Sequence, residues 1–314
     1  MKLEDLRALT QKMTHVSSPD QERKLQEVFR SLGIEPGTLY QELEMSSRFA
    51  DTHRDISYHN AAVNLHSHTF SEILCCHSNS NVEYLVGAER YRLQKGDIIL
   101  VPPGVSHRPL LPEQMPEPYV RDVLWISQEF VEMVARFFPD ERLNTVTGVR
   151  LLRTAGTKWE FLAERFQRGI RETEQKKPGW EMVVLANTMD LFVQLRRAML
   201  DKAAKPLKAE KKELLDQVLE YIEKNYASRL TLAQVASQFY VSESTVSQLF
   251  RKKVGVSFYQ WVTQRRLIAA KTLIEEGKLL EEVGHLVGFV DYSSFYRAFR
   301  QEFGISPRQY RKMQ

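Results

Sequence analysis

The sequence predicts an α+β chain. Its N-terminal part is built on a small β-barrel with flanking helices, and its C-terminal part is an all-α domain of two tandem helix-turn-helix units. Three observations predict this. A pattern of residues in the last third occurs twice, 49 positions apart. Short alternating runs with turn signals fill Ser57 to Ser127. Apolar residues at helical spacing fill the segments on either side of those runs.

The elements follow in chain order. Residues 1–45 have Leu3, Leu6, Leu9 and Met13, then Leu25, Val28, Phe29 and Leu32, at helical spacing. From residue 46 to 128 the texture is that of strands. Val82–Val86 and Glu89–Leu93 flank Gly87-Ala88 as a hairpin. Lys95-Gly96-Asp97 turns into the apolar run Ile98–Val101, which Pro102-Pro103-Gly104 stops, and Arg121–Ser127 reads as a further strand. Helices return over 129–200, where Lys158–Gln175 and Trp180–Leu200 are amphipathic and separated by Lys177-Pro178-Gly179. The stripes Trp159, Leu162, Phe166, Ile170 and Met182, Leu185, Met189, Phe192, Val193, Arg196 suit a core or a dimer interface. Residues 201–212, rich in Lys and Ala with Pro206, read as a linker to a domain at 213–314.

The repeat spans Leu232–Trp261 and Leu280–Tyr310. Arg251-Lys252-Lys253-Val254-Gly255-Val256-Ser257 recurs as Arg300-Gln301-Glu302-Phe303-Gly304-Ile305-Ser306, with Gln260-Trp261 and Gln309-Tyr310 after them. In the first copy Leu232, Val235, Ala236 and Phe239 face one way, Tyr240-Val241-Ser242 makes a turn, and Ser242 is suited to cap a helix that buries Val246, Leu249 and Phe250. In the second copy Leu280, Val283, Gly284 and Val287 lead through Gly288 to Asp291, the cap of a helix that buries Phe295 and Phe299. The second turn holds one extra residue. Ala236 and Gly284 are small where two helices must approach. Each copy ends at a glycine suited to a left-handed C-cap, followed by a serine N-cap, with Pro307 at the next helix's first position.

If the apolar residues point inward, Ser244, Ser247, Gln248 and Arg251 point outward in the first copy, and Ser293, Tyr296, Arg297 and Arg300 in the second. Ser, Gln and Arg are side chains that reach base edges or phosphates from a helix in the major groove. Ser242, Glu243, Lys252, Tyr292 and Ser294 complete the candidate DNA-binding set. Charge agrees: residues 205–314 have 18 Lys and Arg against 12 Asp and Glu, whereas residues 1–204 carry two net negative charges.

The C-terminal third, Leu232–Gln314, resembles the DNA-binding domain of the AraC/XylS family of bacterial transcription regulators. The carriers are Arg266–Ile274, similar to that family's helix joining the two units, and Val287-Gly288-Phe289-Val290-Asp291 with Ser294, Phe295, Arg297, Phe299, Gly304 and Ser306-Pro307. The resemblance implies that two recognition helices enter major-groove segments roughly 34 Å apart, held at that distance by a rigid spacer at Ser257–Glu276. Gly284 stands where alanine is commoner in the family, at an expected cost of roughly 1 kcal/mol in helix propensity.

A second motif lies in the strand region. His66-x-His68 with Glu72, then Gly96, Pro102-x-Gly104 and His107, resembles the two motifs of the cupin superfamily of small barrels. Residues 66, 68 and 72 share parity, so on one extended strand they would share a face. This set could hold a divalent metal such as Zn²⁺, Ni²⁺, Fe²⁺ or Mn²⁺, contact an organic effector, or pair internally. Tyr84, Arg92 and Trp125 are candidate pocket walls, and Arg54 and His59 precede the barrel.

The function expected is a sequence-specific DNA-binding transcription regulator controlled by a small molecule in a cupin-type sensor domain. The resemblance implies double-stranded promoter DNA, a sugar or related metabolite as effector, a homodimer, and RNA polymerase if the output is activation. No cofactor is required. The alternative is a metal-dependent cupin enzyme with an appended DNA-binding domain, against which stands the lack of a separate general base or substrate motif. A two-component receiver is excluded by the absence of alternating βα texture in residues 1–204. No apolar run reaches membrane length, and the two cysteines are the adjacent Cys75 and Cys76, which cannot readily bridge. These features lead us to expect a cytoplasmic protein without membrane contact.

Overall fold

The computed structural model describes residues 45, 47–57, 65–79, 82–112, 115, 117–138, 150–201, 205–206 and 212–312. The helical expectation for residues 1–45 therefore lies almost wholly outside the described residues, as does His59. The chain divides into a unit at Leu43–Lys211 and another that contains Lys212–Gln314.

The first unit is a mixed sheet and helix assembly. Its strands are β1 (Ala50–Ser57), β2 (Ser71–Cys76), β3 (Glu83–Val86), β4 (Glu89–Arg92), β5 (Asp97–Val101), β6 (His107–Leu110), β7 (Tyr119–Ile126), β8 (Arg150–Arg153) and β9 (Lys205–Pro206). A six-stranded sheet runs β1-β7-β2-β5-β8-β9 and a three-stranded sheet runs β4-β3-β6. Every pair is antiparallel. Among the described residues the two sheets are not joined into a closed barrel.

Alternation explains how one sheet serves two cores. On β2, Leu74 and Cys76 face a core shared with Tyr84, Val86, Tyr91, Ile99, Val101, Tyr119, Val123 and Trp125. Ile73 and Cys75 face the opposite core with Ile98, Leu100, Leu124 and Ile126. The adjacent cysteines are thus on different faces, both free and buried. Burial pushes both thiols up, Cys76 to about 12, so neither is primed for oxidation or metal binding.

Three helices cover that second core: α1 (Gln128–Phe137), α2 (Leu162–Gln175) and α3 (Trp180–Leu200). Phe130, Val134, Leu162, Phe166, Leu191, Phe192 and Leu195 are buried there, each phenylalanine contributing about 1.5–3 kcal/mol by leaving water. Leu185 and Met189 pack partly against the same core, and Arg196 is buried, whereas Met182 is exposed. Most of the predicted stripe is therefore spent within the chain. Other expectations shift at their edges. Ser127 is not strand but the N-cap of α1, accepting from the Phe130 N–H. The helix expected from Lys158 starts at Leu162, and Lys205–Pro206 of the expected linker pairs with β8 at the sheet edge.

The second unit is helical: α4 (Leu214–Asn225), α5 (Leu232–Gln238), α6 (Glu243–Leu249) continuing as a π-turn at Phe250–Val254, α7 (Phe258–Glu275), α8 (Leu280–Leu286), α9 (Tyr292–Phe303) and α10 (Pro307–Arg311). The sequence reading did not single out α4. It is tied to α7 by the bidentate pair of Arg265 with Glu223. No helix among the described residues is long and apolar enough to cross a membrane.

Candidate DNA interface and histidine cluster

Each predicted cap is present. Ser242 accepts from the Thr245 N–H and Asp291 from the Ser294 N–H, starting the two recognition helices. Ser257 and Ser306 form reciprocal capping boxes with Gln260 and Gln309. Gly255 and Gly304 end the recognition helices with φ of 81° and 72°. Between the helices of each copy the chain turns through a left-handed residue, Tyr240 (φ 55°) in the first and Gly288 (φ 95°) in the second. The N–H three residues past the helix then reaches back across the last turn, Val241 to Ala236 and Phe289 to Gly284.

Burial sorts the faces as periodicity predicts. Val246, Phe250, Phe295 and Phe299 are fully buried. Ser242, Glu243, Ser244, Gln248, Arg251 and Lys252 are exposed and Ser247 is half-buried; Ser293, Arg297 and Arg300 are exposed, and Tyr292, Ser294 and Tyr296 half-buried. Ser294 is partly committed elsewhere, since its hydroxyl donates to Asp291. Gly284 is closely packed: a Cβ there would lie 3.0 Å from the Phe295 Cβ, so alanine would need Phe295 to shift by a few tenths of an ångström. The helix-propensity cost expected of glycine is offset by that close approach, so alanine would not simply recover it.

The second candidate site lies in the first unit. His66, Glu72 and His107 each offer a ligand atom within 4.8 Å of the others. They meet by a different route from the one parity suggested. β2 begins only at Ser71, so His66 is not on the strand of Glu72. It forms an isolated antiparallel bridge with His107 at the start of β6, with backbone hydrogen bonds of 3.3 and 2.9 Å. This nonlocal pairing carries His66 to the site.

The geometry fixes proton positions. His107 Nδ1 is 2.8 Å from the Val105 carbonyl and His68 Nδ1 is 2.7 Å from the Phe70 carbonyl. A carbonyl only accepts, so both Nδ1 atoms carry the proton and both Nε2 atoms are left for another partner. His107 Nε2 stands 2.9 Å and His68 Nε2 3.8 Å from Glu72 Oε2. The other carboxylate oxygen accepts from Trp125 Nε1 at 2.9 Å. Both Nε2 atoms and Glu72 Oε2 are buried without a hydrogen-bond partner. Burial alone would raise the Glu72 carboxyl, but the charge of His107 and the two imidazoles hold it well below the usual range. Burial pushes His68 down, toward its neutral form. Either a proton on His107 Nε2, donated to Glu72 Oε2 across 2.9 Å, or a cation among the three atoms would satisfy them. The donor set fits a divalent first-row metal.

The other candidates are distributed unevenly. Tyr84 and Trp125 are buried on the inner face of the same core. Arg92 is exposed and pairs with Glu83 at 3.5 Å. Arg54 lies on β1, bidentate to the fully buried Asp122, which His77 also contacts at 2.6 Å. Sequence reasoning did not identify Asp55, Ser57 and Arg121 as a buried polar group; Arg121 donates to Asp55 at 2.9 Å and to Ser57 at 3.0 Å. Only the polar alternation of β1 could have signalled it.

The fold and caps of the second unit define a double helix-turn-helix DNA-binding module. Residues 235–313 match the helix-turn-helix domain family. Over 100 residues the chain is 40% identical to the Escherichia coli protein named as the uncharacterized HTH-type transcriptional regulator YijO, covering 32% of this chain and 35% of that protein. It is 33% identical over 129 residues to the probable transcriptional regulator LumQ of Photobacterium leiognathi, covering 40% of this chain and 49% of that one. The chain thus spans between a third and a half of those two relatives. Similarity to the HTH-type transcriptional activator RhaS of Salmonella arizonae is more extended, 25% identity over 264 residues, 80% of this chain and 88% of that one.

Proposed function

We propose that the protein is a sequence-specific DNA-binding transcription regulator whose N-terminal unit binds a small molecule that controls it. The observation that carries this reading is the pair of capped recognition helices with exposed Ser, Gln and Arg on one face of each. The 18-residue α7 between the units is a stiff spacer for two major-groove segments on one face of DNA. The extended similarity to an activator favours activation, with RNA polymerase as a partner, and a homodimer would set two such modules on neighbouring half-sites. The two facing sheets and the His/Glu motif support a cupin-type sensor as the controlling unit, with a sugar or related metabolite as effector. That effector can change DNA affinity only by its own difference in affinity for two arrangements of the chain.

Selection of bound sequences from a random duplex pool by the purified full chain tests this reading. A consensus with two contacted segments about one helical turn apart is expected. Arg251→Ala or Arg297→Ala should then weaken binding to that consensus by about 10- to 100-fold, ~1–3 kcal/mol, with relaxed preference at one base position. Recovery of no preferred sequence would sink the reading.

A specific observation favours a second reading of the N-terminal site. The orphaned Nε2 atoms of His68 and His107 and Oε2 of Glu72, with His66 beside them, suit a bound divalent cation. Such a cation would supply Lewis acidity and anchor an oxygen-bearing ligand. A metal-dependent enzyme appended to a DNA-binding domain would show turnover that His68→Ala abolishes.

A further inference from the structure

The two helix-turn-helix units are built alike but charged oppositely. Residues 232–254 carry Arg251, Lys252 and Lys253 against Glu243, a balance of +2. Over the repeat Leu280–Tyr310 the second copy carries Arg297, Arg300 and Arg308 against Glu281, Glu282, Asp291 and Glu302, a balance of −1, where Leu232–Trp261 keeps +2. Placement makes the contrast sharper than the totals. In a helix-turn-helix the first helix crosses the DNA backbone. Here α5 has no ionisable side chain, whereas α8 presents Glu281 and Glu282, both exposed.

The exits differ in the same sense. In the first unit the recognition helix widens into the π-turn, closed by the Gly255 N–H on the Phe250 carbonyl at 2.9 Å. That turn displays Arg251, Lys252 and Lys253, all exposed. At the matching positions the second unit has Arg300, Gln301 and Glu302, and Glu302 is drawn inward to accept from Gln264 at 3.2 Å. Among the described residues Lys252 and Lys253 make no ion pair, so their charge is not spent inside the protein. The second unit's remaining cations lie on and after α10. Arg311 there donates to the Lys278 carbonyl. Arg308 matches Tyr259 of the first copy, whose hydroxyl lies 3.4 Å from the Leu232 N–H at the start of α5. Arg308 and Arg311 share the neighbourhood of Tyr292 with Glu281, so an acid stands among these cations. Lys312 alone is exposed beyond them.

We infer that the two units divide the work of binding, resting on the DNA-binding reading above. The first is the electrostatic anchor, gripping phosphates of any sequence through Lys252 and Lys253 beside Arg251. The second repels the backbone and engages only where Tyr292, Tyr296, Arg297 and Arg300 find base contacts that outweigh that repulsion. Affinity without sequence then comes from the first unit, and discrimination from the second.

Salt dependence separates these roles, because each phosphate contact contributes about 0.9 to the slope of log affinity against log salt. The probe is a mixed-sequence duplex of about three helical turns, titrated with the full chain by fluorescence anisotropy between about 50 and 200 mM salt. Lys252→Gln/Lys253→Gln should reduce the slope by about 2. Arg297→Gln/Arg300→Gln should reduce it by less than about 1, and Glu281→Gln/Glu282→Gln should tighten binding to the same probe. All six positions are on the surface, so unchanged melting curves verify folding. Equal slope losses in the two basic variants, or a greater loss in the second, would overturn the division of labour. No effect of Glu281→Gln/Glu282→Gln would overturn the repulsive role of α8. Failure of the unsubstituted chain to bind any duplex would instead refute DNA binding itself.

Discussion

Replacing Gly288 with alanine is expected to destabilise the C-terminal unit by about 2–4 kcal/mol, a fall in Tm on the order of 10–25 °C for a unit of this size. Two costs combine. The backbone there has φ of 95°, a region that a Cβ disfavours by roughly 1 kcal/mol. The new Cβ would also stand 2.7 Å from the Ala227 carbonyl oxygen and 2.8 Å from that of Tyr226. These are backbone atoms and cannot rotate aside. Arg266 holds them further in place, donating to the Tyr226 and Ser228 carbonyls at 2.8 Å each. The equivalent left-handed residue of the first copy, Tyr240, is 96% exposed and serves as the control. Tyr240→Gly should move stability by less than about 1 kcal/mol. Separate thermal melts of the two variants check both values. A small loss for Gly288→Ala would mean that the 226–228 segment yields, and that this junction does not fix the angle at which α9 leaves its turn.

The contrast between Gly288 and Tyr240 shows what the sequence discloses and what it withholds. Caps, glycine stops and the apolar faces of the two helix pairs are local, encoded within a few residues, and the structure has each where the pattern puts it. Tyr240 in a left-handed turn is also local, but its side chain gives no sign of that conformation; only alignment with Gly288 does. The π-turn at Phe250–Val254 is equally silent, since its residues suit an ordinary helix. In the first unit the hairpin around Gly87-Ala88 and the buried run Ile98–Val101 are legible for the same local reasons. The apolar stripe of α3 is not resolved by spacing, because periodicity reports that a face is apolar and not what covers it. Here α2 and the larger sheet together cover much of it. Strand β1 went unread because Asp51, Thr52, His53, Arg54 and Asp55 have the composition of a loop, and their burial depends on partners far along the chain. The four residues of the histidine cluster were identifiable, but the bridge that brings His66 to His107 joins positions 41 apart and leaves no mark on either segment.

Native mass spectra of the full-length protein are expected to show one divalent ion per chain, lost on treatment with a strong chelator and absent from Glu72→Gln and His107→Gln. The expectation follows from atoms that the protein leaves unsatisfied. Without a cation or a proton on an imidazole Nε2, the buried nitrogens of His68 and His107 and Glu72 Oε2 present lone pairs to one another, which is unfavourable. With a cation, His66, Glu72 and His107, whose ligand atoms converge, become ligands, and Val105 and Trp125 already orient His107 and Glu72, the outer support that metal-binding histidines and carboxylates require. Glu72→Gln is chosen because its amide oxygen can still accept from Trp125 while the charge is gone, so metal loss would report the missing anion and not a collapsed strand. Metal in excess should raise the Tm of the first unit, since a ligand at about 100 times its Kd stabilises the state it binds by ~2.7 kcal/mol. The second unit's melting should not move. A chain that carries no ion, and gains no stability from Zn²⁺, Ni²⁺, Fe²⁺ or Mn²⁺, would show that a proton on His107 bridges the cluster instead. The search for the controlling molecule would then turn to organic ligands.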